Sequence, residues 1–222
     1  MPARRKLCTK CRWNSRKASS SGALEISVAA LMMAQSMPWS VPANTDSPTV
    51  MEDCARAFPS VKLIERPEHL RDGHIPMNDV LLHDITQIEA DAYLQTHSTN
   101  PLLRAETIDR AIRRYLDGQP EADSLFGVTK WQTRLYDASG APINHDPEIL
   151  ARTQDLPPVF EENSNIYIFT ADVLKTYERR IGAKPIMFEI DRLEAMDIDD
   201  EEGFQLAEAV AGLGHAGAGA SD

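Results

Sequence analysis

From residue 44 onward, apolar positions recur along the chain with two alternating periods. In "NTDSPTVMEDCARAF", Ser47 stands where an N-cap is needed and Pro48 takes the first helical position. Val50, Cys54, Ala57 and Phe58 then share one helical face, so the stretch predicts a helix. "VKLIERP" predicts a short strand, "PMNDVLLHDITQI" a helix, and "ADAYLQTH" a strand that ends in polar residues. "PLLRAETIDRAIRRYLDG" puts Leu103, Ile108, Ala111, Ile112 and Tyr115 on one side and closes on Gly118, the pattern of a strong amphipathic helix. "DSLFGVTKW" predicts a strand, "NSNIYIFTADVLKTY" a strand running into a helix, and "PIMFEI" another strand. A last helix is expected over about residues 202–210, and residues 211–222 are expected to form a disordered tail.

Strands alternating with helices at this spacing imply an α/β domain over residues 44–210, a mostly parallel sheet flanked by helices. In such a sheet ligands sit at the C-terminal ends of the strands. The polar residues that fall there are Asp46, then Gln95, His97 and Ser98, and near the end of the chain Asp197 and Asp199. Residues 131–163 are long and turn-rich, with "DASGAP", "NHDPE" and "DLPP", and are expected to protrude as an arm.

Charge separates the first residues from the rest. Residues 1–45 carry a net of +6 against −11 for the whole chain, leaving −17 on the remainder. "MPARRKLCTKCRWNSRKASSSG" is basic, serine-rich and free of acids. Residues 1–43 are therefore expected to be an atypical, poorly ordered segment. Its composition resembles a transit peptide, or else a different reading frame or start site. Cys8 and Cys11 lack a second pair to complete a zinc site, and three cysteines make no disulfide framework. A reducing, cytoplasmic setting is expected. The acidic body disfavours nucleic-acid partners, and no apolar run long enough to span a membrane occurs.

The acids concentrate at "EAMDIDDEEGFQLAEAV", where Asp197, Asp199 and Asp200 precede the last helix. Acids there favour a helix N-terminus. They are also the hard oxygen donors that a cation takes, and Asp197 and Asp199 would point the same way on an extended chain. The residues alone leave both readings open.

Four stretches, in order, resemble the acylneuraminate cytidylyltransferase family, which includes the CMP-sialic acid and CMP-Kdo synthetases. "NTDSP" is similar to its strand-end T-D motif. "LQTHSTNPLLR" resembles Q-P-T-S-P-L-R, with two extra residues and His97 inside. "RTQDLPPVFEENSNIYIF" resembles R-x-Q-x-x-P…E-N-G, with Ser164 in place of glycine. "FEIDRLEAMDIDDEEGFQLAE" resembles the acidic D-x-D and final helix. The resemblance implies a Rossmann-like, nucleotide-diphospho-sugar transferase fold. It implies transfer of CMP from CTP to a sialic-acid-like or 3-deoxy sugar acid, with release of pyrophosphate. Asp197 and Asp199 would hold Mg2+ as catalytic residues, and Arg152 would contact a carboxylate or phosphate. Gln95, Ser98 and Asn163 would bind substrate, with Arg66 and Arg104 as weaker candidates. The arm itself, too long and turn-rich for an ordinary connection, is expected to mediate a homodimer.

The family's basic loop, R-x-x-S-x-R-x-x-x-K-N, occurs nowhere in this sequence. Its loss would remove the triphosphate clamp, so weak activity is expected. The alternative is a non-catalytic remnant or paralogue that keeps the fold and binds a sugar acid or a partner subunit. An unrelated α/β phosphohydrolase would need an aspartate nucleophile motif, which is missing.

Overall fold

The computed structural model describes residues 27–29 and 42–212. Their elements run β1 (Ser27–Ala29), β2 (Pro42–Thr45), α1 (Pro48–Ala57), β3 (Lys62–Glu65), α2 (Met77–Gln87), β4 (Tyr93–His97) and α3 (Ala105–Asp117). Then follow β5 (Ser124–Trp131), β6 (Val159–Phe169), α4 (Ala171–Tyr177), β7 (Pro185–Glu189) and α5 (Glu201–Gly212). Capping side chains start two of the helices. Ser47 caps α1 by accepting the Val50 N–H, and Thr170 caps α4 by accepting that of Val173.

The described strands form a seven-stranded sheet in the order β3-β2-β1-β4-β6-β5-β7. β2 pairs parallel with β3, and β5 with β7. β1 is antiparallel to β2 and β4, and β6 is antiparallel to β4 and β5. Five strands therefore share one direction, as expected, while the two reversed strands sit inside the sheet and make four of its six pairings antiparallel. Strand β1 lies within residues 1–43, which the sequence sets apart from the domain, and Pro42 and Ala43 belong to β2. The remainder of 1–43, including both Cys8 and Cys11, and nearly all of the expected tail lie outside the described residues.

Side chains alternate across the sheet and build two cores. Tyr93, Tyr167 and Phe169 point to one face, where Leu81 of α2 and Val173 and Leu174 of α4 meet them. Leu94, Leu125, Ile166, Ile168 and Phe188 point to the other, against Ala111, Ile112 and Tyr115 of α3. Helix α1 forms where its cap predicts, yet none of its residues is buried. Among the described residues, no helix is long and apolar enough to cross a membrane.

Between β5 and β6 the chain runs through residues 132–158 with only an isolated Tyr136–Pro142 bridge and a 3-10 turn at Thr153–Asp155. This is the expected arm, shortened because residues 159–163 belong to β6. Its order comes from polar anchors. Asn144 is buried, accepts the Leu135 N–H at 3.0 Å and donates to the Thr133 and Pro157 carbonyls at 2.8 and 3.0 Å. Leu150, Ile149, Ile143 and Tyr136 remain exposed on it, Leu150 at 92%.

Candidate functional site

Strand β7 delivers the acidic segment. After Ile190 donates to the Val128 carbonyl at 2.9 Å, the chain turns at Asp191, whose Oδ1 accepts the Leu193 N–H at 3.0 Å. Glu194 then plunges inward and is fully buried. Its Oε1 accepts the Arg104 backbone N–H at 2.7 Å, and its Oε2 accepts Nε and Nη2 of the same arginine at 3.1 and 2.8 Å. Asn165 of β6 donates to the Ala195 carbonyl at 3.2 Å, and Asn100 to that of Met196 at 3.3 Å. The Ile198 N–H reaches the Thr99 carbonyl at 2.9 Å. The segment is thus pinned to α3, β6 and the chain leaving β4.

With Ile198 tied to Thr99, the flanking Asp197 and Asp199 line one cavity. It has a volume of about 340 Å³, and Thr129, Trp131, Glu161, Glu162 and Asn163 share its wall. Neither aspartate is ion-paired among the described residues. Asp200 does something else: its Oδ1 accepts the Gly203 N–H at 2.8 Å and so caps α5. Arg192 also lines the cavity and lies over the Trp131 ring, 4.0 Å from its centre.

The opposite wall depends on a bulge. Between the pairs Phe126–Tyr167 and Val128–Glu162, Gly127 alone faces residues 163–166 of β6. A Cβ on Gly127 would lie 2.6 Å from Asn163 Oδ1 and 2.9 Å from Ile190 Cδ1, so a larger residue would have to displace these side chains. At its apex Ser164 has φ +56°, a left-handed conformation that favours glycine. Ser164 stands at the position where the family motif that this stretch resembles has glycine. The bulge aims Asn163 inward, where Nδ2 donates to Thr129 Oγ1 at 3.1 Å.

On the α2/α4 face of β4, Gln95 is fully buried. Its Nε2 lies 3.3 Å from His97 Nε2, and its Oε1 accepts Arg180 Nη1 at 2.9 Å. Arg180 lies flat over Tyr167, 3.8 Å from the ring centre. The Tyr167 hydroxyl donates to Glu162 and lies 3.3 Å from Ser164 Oγ. Burial, helped by Arg180, pushes the His97 pKa below the ordinary imidazole value, and Asp197 opposes that shift.

The structure brings together Asp197, Asp199 and Asn163, with Gln95 reaching the same end of the sheet through His97. Ser98 is exposed just beyond β4. Arg104 is taken up by Glu194, as a support of the acidic segment. Arg66 is buried and donates from Nε to Asn44 Oδ1 at 2.9 Å, in a polar cluster with Asp84. Arg152 sits exposed on the arm, with its guanidinium on Asp155 at 2.7 and 3.0 Å, and does not line the cavity. Sequence reading misses Thr129, Trp131, Glu161, Glu162, Arg192, Tyr167 and Arg180. Each is unremarkable in its own strand or loop and reaches the site only through strand pairing or a turn.

A family model described as cytidylyltransferase matches residues 25–213, in agreement with the resemblance carried by the ordered motifs. A search of the curated proteins found no match. Among solved structures, the chain is similar to CMP:2-keto-3-deoxy-manno-octonic acid synthetase complexed with CTP. That match has a TM-score of 0.52 and 16% identity, over 78% of this chain and 81% of the other. It is also similar to 4-diphosphocytidyl-2C-methyl-D-erythritol synthase from Anaerococcus prevotii, with TM-score 0.51, 9% identity and coverage of 76% and 78%. A further 4-diphosphocytidyl-2C-methyl-D-erythritol synthase gives TM-score 0.51 and 12% identity over 77% and 79%. At these identities the likeness is one of fold.

Proposed function

The chain belongs to the cytidylyltransferase family, and from that premise we propose that it transfers CMP from CTP to a sugar acid of the sialic or 3-deoxy type. The acceptor's hydroxyl oxygen would bond to the α-phosphorus as the α–β phosphoanhydride breaks and pyrophosphate leaves. The observation that carries this reading is the pair Asp197 and Asp199, held facing one cavity at the ends of the parallel strands.

That donor set fits Mg2+, which takes one or two carboxylates and keeps water and phosphate for its other positions. Among the described residues no group of three or more His, Cys, Asp or Glu is placed to hold a metal ion, so the metal reading rests on this pair alone. Bound there, Mg2+ would neutralise charge that develops on the phosphate. The chain's own residues do the positioning. Ile198 and Glu194 fix the aspartates, while Asn163 and the hydroxyl-bonding groups around it orient the acceptor.

Holding a triphosphate also requires cations and aimed amides. The family's basic loop is missing from the sequence, and residues 1–24 fall outside the family match. The chain is therefore expected to release pyrophosphate from CTP at least about 100-fold more slowly than a chimera whose residues 1–43 are replaced by a family-type strand–loop–helix. A steady-state pyrophosphate assay with a panel of sugar acids checks this. Equal rates would show that the native segment builds a working clamp. This same feature supports the second reading, a non-catalytic member that retains acceptor binding.

Two copies are proposed to associate through the arm, whose exposed Ile143, Ile149 and Leu150 are stranded apolar area. Light scattering should report a dimer for the native chain and a monomer when residues 132–158 give way to a short Gly/Ser linker. A monomeric native chain would end the idea.

A further inference from the structure

Arg180, like Arg192, is a cation that the sequence did not single out. Its backbone is fixed on both sides. Glu178 ends α4 in a left-handed turn with φ +52°, and its carbonyl accepts Asn78 Nδ2 at 2.9 Å. Beyond Arg180, Gly182 donates to Ser124 Oγ at 2.8 Å, and Ala183 and Lys184 donate to Asp123 Oδ2 at 2.7 and 3.0 Å. The side chain is half-buried, flat on Tyr167 and bonded to Gln95. A long, flexible side chain has thus lost its rotamer freedom before any ligand arrives.

The location matters as much as the rigidity. From Arg180 a run of polar groups leads through Gln95 and His97 toward Asp197. Around it lie groups that recognise hydroxyls: the Gln95 amide it bonds, the Tyr167 hydroxyl of the ring beneath it, and the Glu162 carboxylate and Ser164 hydroxyl next to that tyrosine's oxygen. A triphosphate would be repelled by Glu161 and Glu162 on this wall, whereas a polyhydroxy acceptor would be bonded by them. Arg192, the cation that lines the cavity itself, stands on the Trp131 side.

We propose that Arg180 is a specificity-determining residue that binds the carboxylate of the acceptor. The inference rests on the sugar-acid reading and deepens it. Guanidinium presents parallel N–H groups that match a carboxylate, and stacking on Tyr167 holds their plane. In a 2-keto sugar acid in its ring form, the carboxylate and the reacting hydroxyl share one carbon. Anchoring the carboxylate therefore sets the nucleophile beside the aspartate pair.

The test is calorimetric binding of 2-keto-3-deoxy-manno-octonic acid, its methyl ester and CTP to the full chain and to Arg180→Met and Arg180→Lys. Methionine still covers Tyr167 but carries no charge. The native chain is expected to prefer the acid to the ester. Arg180→Met should weaken acid binding by about 10- to 100-fold, the range for a hydrogen-bonded charge, and leave ester and CTP binding unchanged. Arg180→Lys should recover part of the preference. Acid binding unaltered in Arg180→Met would overturn the proposal. So would an equal loss of acid and ester, which marks a structural role, or a loss of CTP, which marks a nucleotide contact. A native chain that binds CTP but neither acid nor ester would instead refute the sugar-acid reading, and the inference with it.

Discussion

Asp199→Ala is expected to reduce Mg2+-dependent pyrophosphate release by about 1,000-fold or more, in the chain as it stands and in the chimera with a family-type N-terminal loop. The magnitude follows from removing one of two carboxylates under a cation that contributes several kcal/mol of charge stabilisation. The fold should not change. Asp199 is exposed, makes no ion pair among the described residues, and shares its cavity with Asp197, Glu161 and Glu162. Removing one of four crowded negative charges relieves repulsion, so the unfolding midpoint should stay or rise slightly. Asp200→Ala is the contrast. It removes the α5 cap at a cost of about 1 kcal/mol and should leave turnover near normal. Undiminished turnover in Asp199→Ala would remove the metal reading.

Glu194→Ala should produce the opposite pattern, a failure of stability. This side chain is 0% exposed while its partner Arg104 is 41% exposed. Helix α3 has no cap from its own sequence, because Arg104 occupies the N-cap position without a side-chain bond to the backbone. Glu194 supplies that cap from 90 residues away and places a carboxylate at the positive end of the helix. Removing it leaves a half-buried N–H without its acceptor, opens a void and frees the arginine. The cost should be about 3 kcal/mol, the lower end for a broken buried pair, because Arg104 reaches solvent. That corresponds to a fall in Tm of about 6–12 °C. Glu194→Gln keeps an oxygen for the N–H and should lose only about 1–2 kcal/mol. A Glu194→Ala protein as stable as the native chain would show that the pair is ornamental.

Local pattern made much of this molecule legible. Ser47 and Pro48 announce α1, the Leu103-to-Tyr115 stripe announces α3, and the alternation in "NSNIYIF" announces β6. These signals act over a few residues, through caps, periodicity and steric preference, and a single stretch suffices to read them. The spacing of Asp197 and Asp199 was legible in the same way. The structure reaches it by an extended loop clamped through Ile198, where a strand had been the reference.

The chain's own sequence determined the order and kind of its elements, the turn-rich arm, the family to which it belongs and the acidic pair before the last helix. Tertiary structure alone decided that β6 returns reversed between β4 and β5, because that pairing joins distant segments and follows the register of the β5–β6 hairpin. It also decided which partner each arginine has. Arg66, Arg104 and Arg152 share the chemistry of Arg180 and Arg192. Yet Arg66 packs on Asn44, Arg104 is taken up by Glu194 and Arg152 by Asp155, while Arg180 lies on Tyr167 and Arg192 on Trp131. A guanidinium is the same group at every position. Its role comes from the carboxylate, amide or ring that packing places within about 4 Å of it, and for Arg66, Arg104, Arg180 and Arg192 that partner lies far away in the sequence.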